Sequence, residues 1–152
     1  MKRIYLITML FCLFAIGAQA QTTAPASSPG QVMRIIYYDI KPGKGAEYMK
    51  YRREHAKPIL DEMKKQGVVA DYMWLTNPTG NGLSNWDVAL VLVYKTYSDA
   101  LENAENGRKF DEIVLKHYGS PEAKDKAEAL ERELRDVMSS HLMREQILNP
   151  IK

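Results

Sequence analysis

Asp87-Val88-Ala89-Leu90-Val91-Leu92-Val93-Tyr94 is the stretch that decides the fold. Successive side chains of a strand point to opposite sides, so Val88, Leu90, Leu92 and Tyr94 face one way, and Ala89, Val91 and Val93 face the other. Both faces are apolar. The neighbouring runs repeat the pattern. Val68 to Thr76 sets Val68, Ala70, Tyr72 and Trp74 against Val69, Met73 and Leu75, and Val32 to Ile40 sets Ile36, Tyr38 and Ile40 against Met33, Ile35 and Tyr37. These runs read as strands ending at Pro42-Gly43, at the turn-rich stretch from Asn77 to Asn85, and near Thr96. The second and third read as an antiparallel hairpin with a long loop.

Between and after the strands the apolar period lengthens to three and four. Ala46 to Gln66 places Tyr48, Met49, Arg52, Ala56, Ile59, Leu60 and Met63 on one side of a helix, with Gly67 ending it in a left-handed turn. Pro58 lacks the amide hydrogen that would bond the Glu54 carbonyl, which predicts a kink. Ser98 is the expected cap of the next helical region, with Asp99 complementing its dipole. That region runs to about Tyr118 with a break at Gly107. Ser120-Pro121-Glu122 starts a third helix, expected to reach Met138 and to bury Ala127, Leu130, Leu134, Val137 and Met138. Glu128 with Arg132, and Glu131 with Arg135, pair four apart on its solvent side. Ser140 to Leu148 reads as a closing strand.

The order is strand, helix, strand, strand, helical region, additional helix, strand. It is that of an α+β, ferredoxin-like antiparallel four-stranded sheet with helices on one face. The uncovered face of such a sheet normally reads polar at alternate positions, which it does not here. Covering about eight apolar side chains is worth on the order of 10 kcal/mol before the entropy of association is subtracted. The expected cover is a second copy of the sheet on a two-fold axis, giving a homodimer. The alternative is that the helix from Pro121 to Met138 folds across that face of a monomer.

The amino terminus supplies an address. Met1-Lys2-Arg3, the apolar run Ile4 to Gly17 and the ending Ala18-Gln19-Ala20 have the form of a secretory signal peptide. The run is short for a membrane span, which needs about 20 apolar residues. The bulky Phe11 before Cys12 speaks against a lipid-modification site. Cleavage after Ala20 leaves a flexible lead-in at 21–30 and a single domain at 31–152, with no membrane contact once the leader is gone. An exported chain, periplasmic or secreted, is expected. Lys2 and Arg3 account for the formal charge of +2, so the remainder is neutral and carries no nucleic-acid signal. Cys12 is the only cysteine, so the exported chain has neither a disulfide nor a thiol nucleophile.

The run Ile35-Ile36-Tyr37-Tyr38-Asp39-Ile40-Lys41-Pro42-Gly43-Lys44-Gly45-Ala46-Glu47-Tyr48 leads from a strand through a Pro-Gly-Lys turn into an amphipathic helix. It resembles the opening of the dimeric α/β-barrel superfamily, and the resemblance covers about Val32 to Leu148. That superfamily includes antibiotic-biosynthesis-type monooxygenases without metal or flavin, haem-degrading monooxygenases, small-ring isomerases and many proteins of unassigned activity. The resemblance implies two protomers pairing their sheets as a dimeric α/β barrel, with a mainly apolar pocket in each. The haem-degrading branch uses a helix histidine with a nearby asparagine and tryptophan. Here His55, His117 and Asn85-Trp86 do not reproduce that spacing, so those roles are not carried over.

Candidate ligand-pocket residues are Arg34, Tyr37, His55, Tyr72, Trp74, Trp86 and His117. The aromatic ones suit half-buried strands and carry polar tips that need partners. Arg34 and Asp71 interrupt apolar strands with charge. His55 and His117 sit on helices, where each reads as a boundary histidine or as a base facing a pocket. Neither has a second histidine three or four residues away, so no zinc or two-histidine site is expected. His141 reads as a strand residue near an edge. A phosphate-binding glycine loop, a Gly-x-Ser-x-Gly elbow and cysteine catalysis are absent. The basic residues Lys50, Arg52, Arg53 and Lys57 are balanced by Glu47, Glu54, Asp61 and Glu62. No cofactor is expected. The leading expectation is a small-ligand-binding or structural protein of unassigned activity. The alternative is a cofactor-independent monooxygenase or isomerase acting on a small apolar or aromatic compound.

Overall fold

In the computed structural model, which describes residues 25–78, 86–101 and 103–150, the chain opens with β1 (Ser27–Ile40), α1 (Gly45–Tyr51), a π-helical turn (Arg52–Ala56) and α2 (Lys57–Lys65). It continues through β2 (Asp71–Thr76), β3 (Val88–Tyr94), α3 (Tyr97–Leu101), α4 (Ala104–Tyr118), α5 (Pro121–Leu134) and β4 (Arg135–Leu148). The leader, most of the lead-in and 79–85 lie outside the described residues. The strands form one sheet in the order β2-β3-β1-β4, which is the ferredoxin-like arrangement. β3 pairs antiparallel with both β1 and β2. Two compact units are distinguished. The larger, Pro29–Ile147, holds nearly all of the sheet and every described helix; the smaller comprises Met1–Ser28 with Leu148–Lys152. Within the smaller, the Asn149 amide donates to the Ala26 carbonyl at 2.9 Å, and its side-chain amide donates to the Pro25 carbonyl at 2.7 Å.

Register sorts the sheet side chains. Leu90 lies between Ile36 and Trp74, and Leu92 between Arg34 and Tyr72. Leu90, Leu92, Ile36, Trp74 and Tyr72 belong to the core that also takes Tyr48, Tyr51, Leu60, Met63, Ile113 and Leu134 from the helices. On the other face, Val91 lies between Ile35 and Met73, and Ala89 between Tyr37 and Leu75. The short central side chains Ala89, Val91 and Val93 are buried there between taller neighbours, but Met73 and Leu75 keep 46% and 43% of their surface exposed. α5 packs against α1 and α4, so it lies with the other helices and does not fold across the second face. The sequence alternative in which it does is therefore set aside.

Where Pro58 predicts a kink, the helix is interrupted by the π-helical turn that ends just before α2. Such a turn accommodates one residue more than regular α-helical spacing, which moves the buried side by about 100°. Tyr51 is consequently buried and Met49 exposed, where an uninterrupted helix would bury Met49. Gly67 ends α2 with a positive φ of 73°, as expected.

Four boundaries depart from the sequence reading. β1 begins at Ser27, inside the expected lead-in, because Gly30 lies against Glu145 of β4 and the Gln31 amide donates to the Glu145 carboxylate. Thr96, not Ser98, caps α3: its Oγ1 accepts the Asp99 amide at 3.1 Å. The expected break at Gly107 is absent, because Gly107 lies inside α4, which the Asn103 side chain caps by accepting from the Asn106 amide. Ser120 caps α5 as expected, but the helix stops at Leu134 and β4 starts at Arg135. Val137 and Met138 are therefore exposed strand residues, and Leu130 on α5 is exposed as well. The Leu134 carbonyl accepts the Lys41 amide at 3.0 Å. Pairing beside β1 begins there, and it overrides a helical period that would otherwise run on to Met138.

Candidate functional site

A cavity of about 260 Å³ lies between the helices and the sheet. Ile36 and Tyr38 of β1, Trp74 of β2, and Leu90 and Leu92 of β3 form its floor, and Ile59, Leu60, Phe110 and Val114 of α2 and α4 its roof. These residues face it for the reasons that place them in the core: even-numbered strand positions, and helix positions three and four apart.

Polar atoms are gathered on one side. Tyr51 Oη lies 3.3 Å from Tyr118 Oη, and both residues line the cavity with Glu128 and Glu131 of α5. Glu131 accepts from Arg135 Nη2 at 2.6 Å and Nε at 3.1 Å. Burial pushes the Tyr51 phenol far above its ordinary pKa, and its hydrogen bond with Tyr118 and the nearby Glu131 carboxylate push the same way. Tyr118 is raised as well, chiefly by burial. Both phenols therefore keep their protons at neutral pH; one proton is shared in the hydrogen bond between them, and the other is free to be donated to an occupant.

The sequence candidates divide among several places. Trp74 lines the cavity. Its indole is covered by the Arg52 guanidinium, 3.9 Å from the ring centroid, and Arg52 Nε is buried without a hydrogen-bond partner. Tyr72 donates to the Asp61 carboxylate at 2.6 Å. Arg34 Nη2 donates to the Ala100 carbonyl at 2.9 Å, and Asp71 pairs with Lys64 at 2.7 Å, so both charges that interrupt the strands find partners. Tyr37 and Trp86 meet edge to face at 5.1 Å, and His141 approaches Tyr37 at 6.0 Å. Tyr37 lies on the sheet face away from the helices, so Tyr37 and Trp86 do not join Trp74.

His55 and His117 do come together. His55 Nδ1 of the π-helical turn lies 3.1 Å from His117 Nε2 of α4, and both rings pack on Tyr118. Sequence reasoning placed Glu128 and Glu131 on the solvent side of α5, whereas both line the cavity, and it singled out neither Tyr118 nor the histidine contact. The apolar period around Tyr118 carried a signal, but nothing in the sequence pairs residues 62 positions apart. Among the described residues no group of three or more His, Cys, Asp or Glu is placed to hold a metal ion, and no helix is long and apolar enough to cross a membrane.

No protein-family model matches the chain, and no curated protein matches it. Among the solved structures similar to it are two dimeric ferredoxin-like proteins. One is a dimeric protein of unknown function with a ferredoxin-like fold from Bacteroides fragilis NCTC 9343, at 14% identity, covering 78% of this chain and 97% of that one, with a TM-score of 0.42. The other is a dimeric ferredoxin-like protein from an uncultured marine organism, at 14% identity, covering 81% and 92%, with a TM-score of 0.43.

Proposed function

We propose that this chain is an exported small-ligand-binding protein that holds a compact aromatic molecule between its helices and its sheet, and that it works as a homodimer. The observation that carries the reading is the cavity of about 260 Å³, apolar on its floor and roof and edged by the Tyr51 and Tyr118 hydroxyls. Apolar cavities of about 150 Å³ already admit benzene, so one ring with a hydroxyl or similar substituent fits the space and meets the phenolic donor that the Tyr51–Tyr118 hydrogen bond leaves free. Binding is favoured over turnover by the state of the groups that reach the cavity. Tyr51 and Tyr118 are pushed away from neutral titration, so neither phenol is poised as an acid or base near pH 7.

Export rests on the form of Met1 to Ala20, with a periplasmic or secreted destination. Pairing rests on the second sheet face, where Met73 and Leu75 are exposed beside half-buried Met33, Ile35 and Tyr37. Two copies joined through that face form the dimeric α/β barrel that the Ile35 to Tyr48 run suggests, and the helix-side cavities remain separate, one per subunit.

Calorimetric titration with p-cresol tests the binding reading. One molecule is expected per chain, with affinity in the micromolar to millimolar range set by so small a ligand. Ala56 lines the cavity, and Ala56→Leu is expected to remove binding by filling it. Absence of saturable binding to the wild type, or full binding by the filled variant, overturns the proposal.

A further inference from the structure

We infer that His55 and His117 form a two-imidazole site for a late first-row divalent cation, with Cu2+ held most tightly. The inference is independent of the cavity's occupant. It starts from the 3.1 Å separation of His55 Nδ1 and His117 Nε2. With metal–nitrogen bonds of about 2.0–2.1 Å, two nitrogens on one ion stand about 2.9 Å apart at a right angle and about 3.4 Å apart at the tetrahedral angle. The observed spacing falls between these, so the two nitrogens already stand at a distance that one ion bridges.

Without an ion, one N–H lies on the line between the two nitrogens. The tautomer with protons on His55 Nε2 and His117 Nδ1 frees both facing nitrogens with no net proton loss.

Access is open. A surface groove lined by Pro58, Ile59, Glu62, Ile113, Lys116 and His117 opens onto the His117 side of the pair. The Glu62 carboxylate there accepts from Gln66 Nε2 at 2.8 Å and pairs with Lys65 at 3.4 Å, and it partly offsets the Lys116 ammonium. No third protein ligand is in place among the described residues, so water fills the remaining positions. Imidazole donors with open sites suit copper, nickel and zinc, and copper leads the affinity order.

The test uses the full chain without an affinity tag, stripped with a chelator and titrated with Cu2+. One ion per chain is expected, with electron paramagnetic resonance showing two imidazole nitrogens. Affinity should lie in the micromolar range, fall at least tenfold in His55→Gln and in His117→Gln, and stay unchanged in His141→Gln. A measurement on the wild type guards against misfolding of the variants: Zn2+ should shift the imidazole nitrogen resonances of His55 and His117 and leave those of His141 in place. Wild-type affinity in both pair variants, loss in His141→Gln alone, or unmoved His55 and His117 resonances overturns the site.

Discussion

The Arg135 guanidinium lies 3.8 Å from the centroid of the Tyr38 ring while its Nη2 and Nε grip Glu131 at 2.6 and 3.1 Å. This contact forms the corner where α5 becomes β4, and it fixes the carboxylate that edges the cavity. Both side chains are largely shielded from solvent, at 13% and 27% exposure, so the pair is worth more than a surface ion pair. Arg135→Met keeps the packing over Tyr38 but strands the Glu131 charge. It is expected to cost about 1–3 kcal/mol in urea denaturation. Adding Glu131→Gln should recover part of that loss, because the double variant leaves no unpaired charge.

Met73 tests the second sheet face. In the single subunit it is 46% exposed, so Met73→Glu should leave the folded subunit nearly as stable as before. In a dimer packed through that face, the same change buries a carboxylate at great cost. Sedimentation is expected to show a dimer for the wild type and a monomer for the variant. A wild-type monomer at micromolar concentration, or a variant of unchanged mass, removes the interface.

Pro58 governs the direction of His55. Pro58→Ala restores the amide that the Glu54 carbonyl lacks, which favours regular α-helical spacing in place of the π-helical turn at Arg52–Ala56. Losing that extra residue turns the preceding segment by about 100° and separates His55 from His117. The expected outcome is retained helical circular dichroism with Cu2+ affinity reduced at least tenfold.

Acid stability should reflect the ties between α2 and β2. Lys57 and Tyr72 hold the Asp61 pKa below its ordinary 3.8, and Lys64 with the Tyr72 amide holds Asp71 below the same value. A depressed carboxylate contributes stability that is present above its unfolded pKa and lost as pH falls through the folded one. The thermal midpoint should therefore drop below about pH 4. The double variant Asp61→Asn, Asp71→Asn should start lower and fall less steeply across that window. Both carboxylates are exposed, so the difference is expected to be small.

Much of the site's frame could be read before any coordinates. The period-two runs around Val91, Ile35 and Met73 mark the three strands and their two apolar faces, because alternation is a local property of an extended chain. Gly67 and Ser120 announce helix ends for equally local reasons. The reading failed where distant partners decide. The helical period from Pro121 extends through Val137 and Met138, yet the backbone turns to strand at Arg135, where pairing beside β1 begins. Pro58 signalled a disturbance, but not that its result would turn Tyr51 inward and Met49 outward.

By itself the sequence determined the type and order of the elements and the apolar character of both sheet faces, since those follow from residues within one turn or one strand of each other. Only the tertiary structure decided which side chains share a space. His55 meets His117 across 3.1 Å, Tyr51 meets Tyr118, and Tyr37 parts from Trp74, because helix packing and strand register join residues that no local period connects.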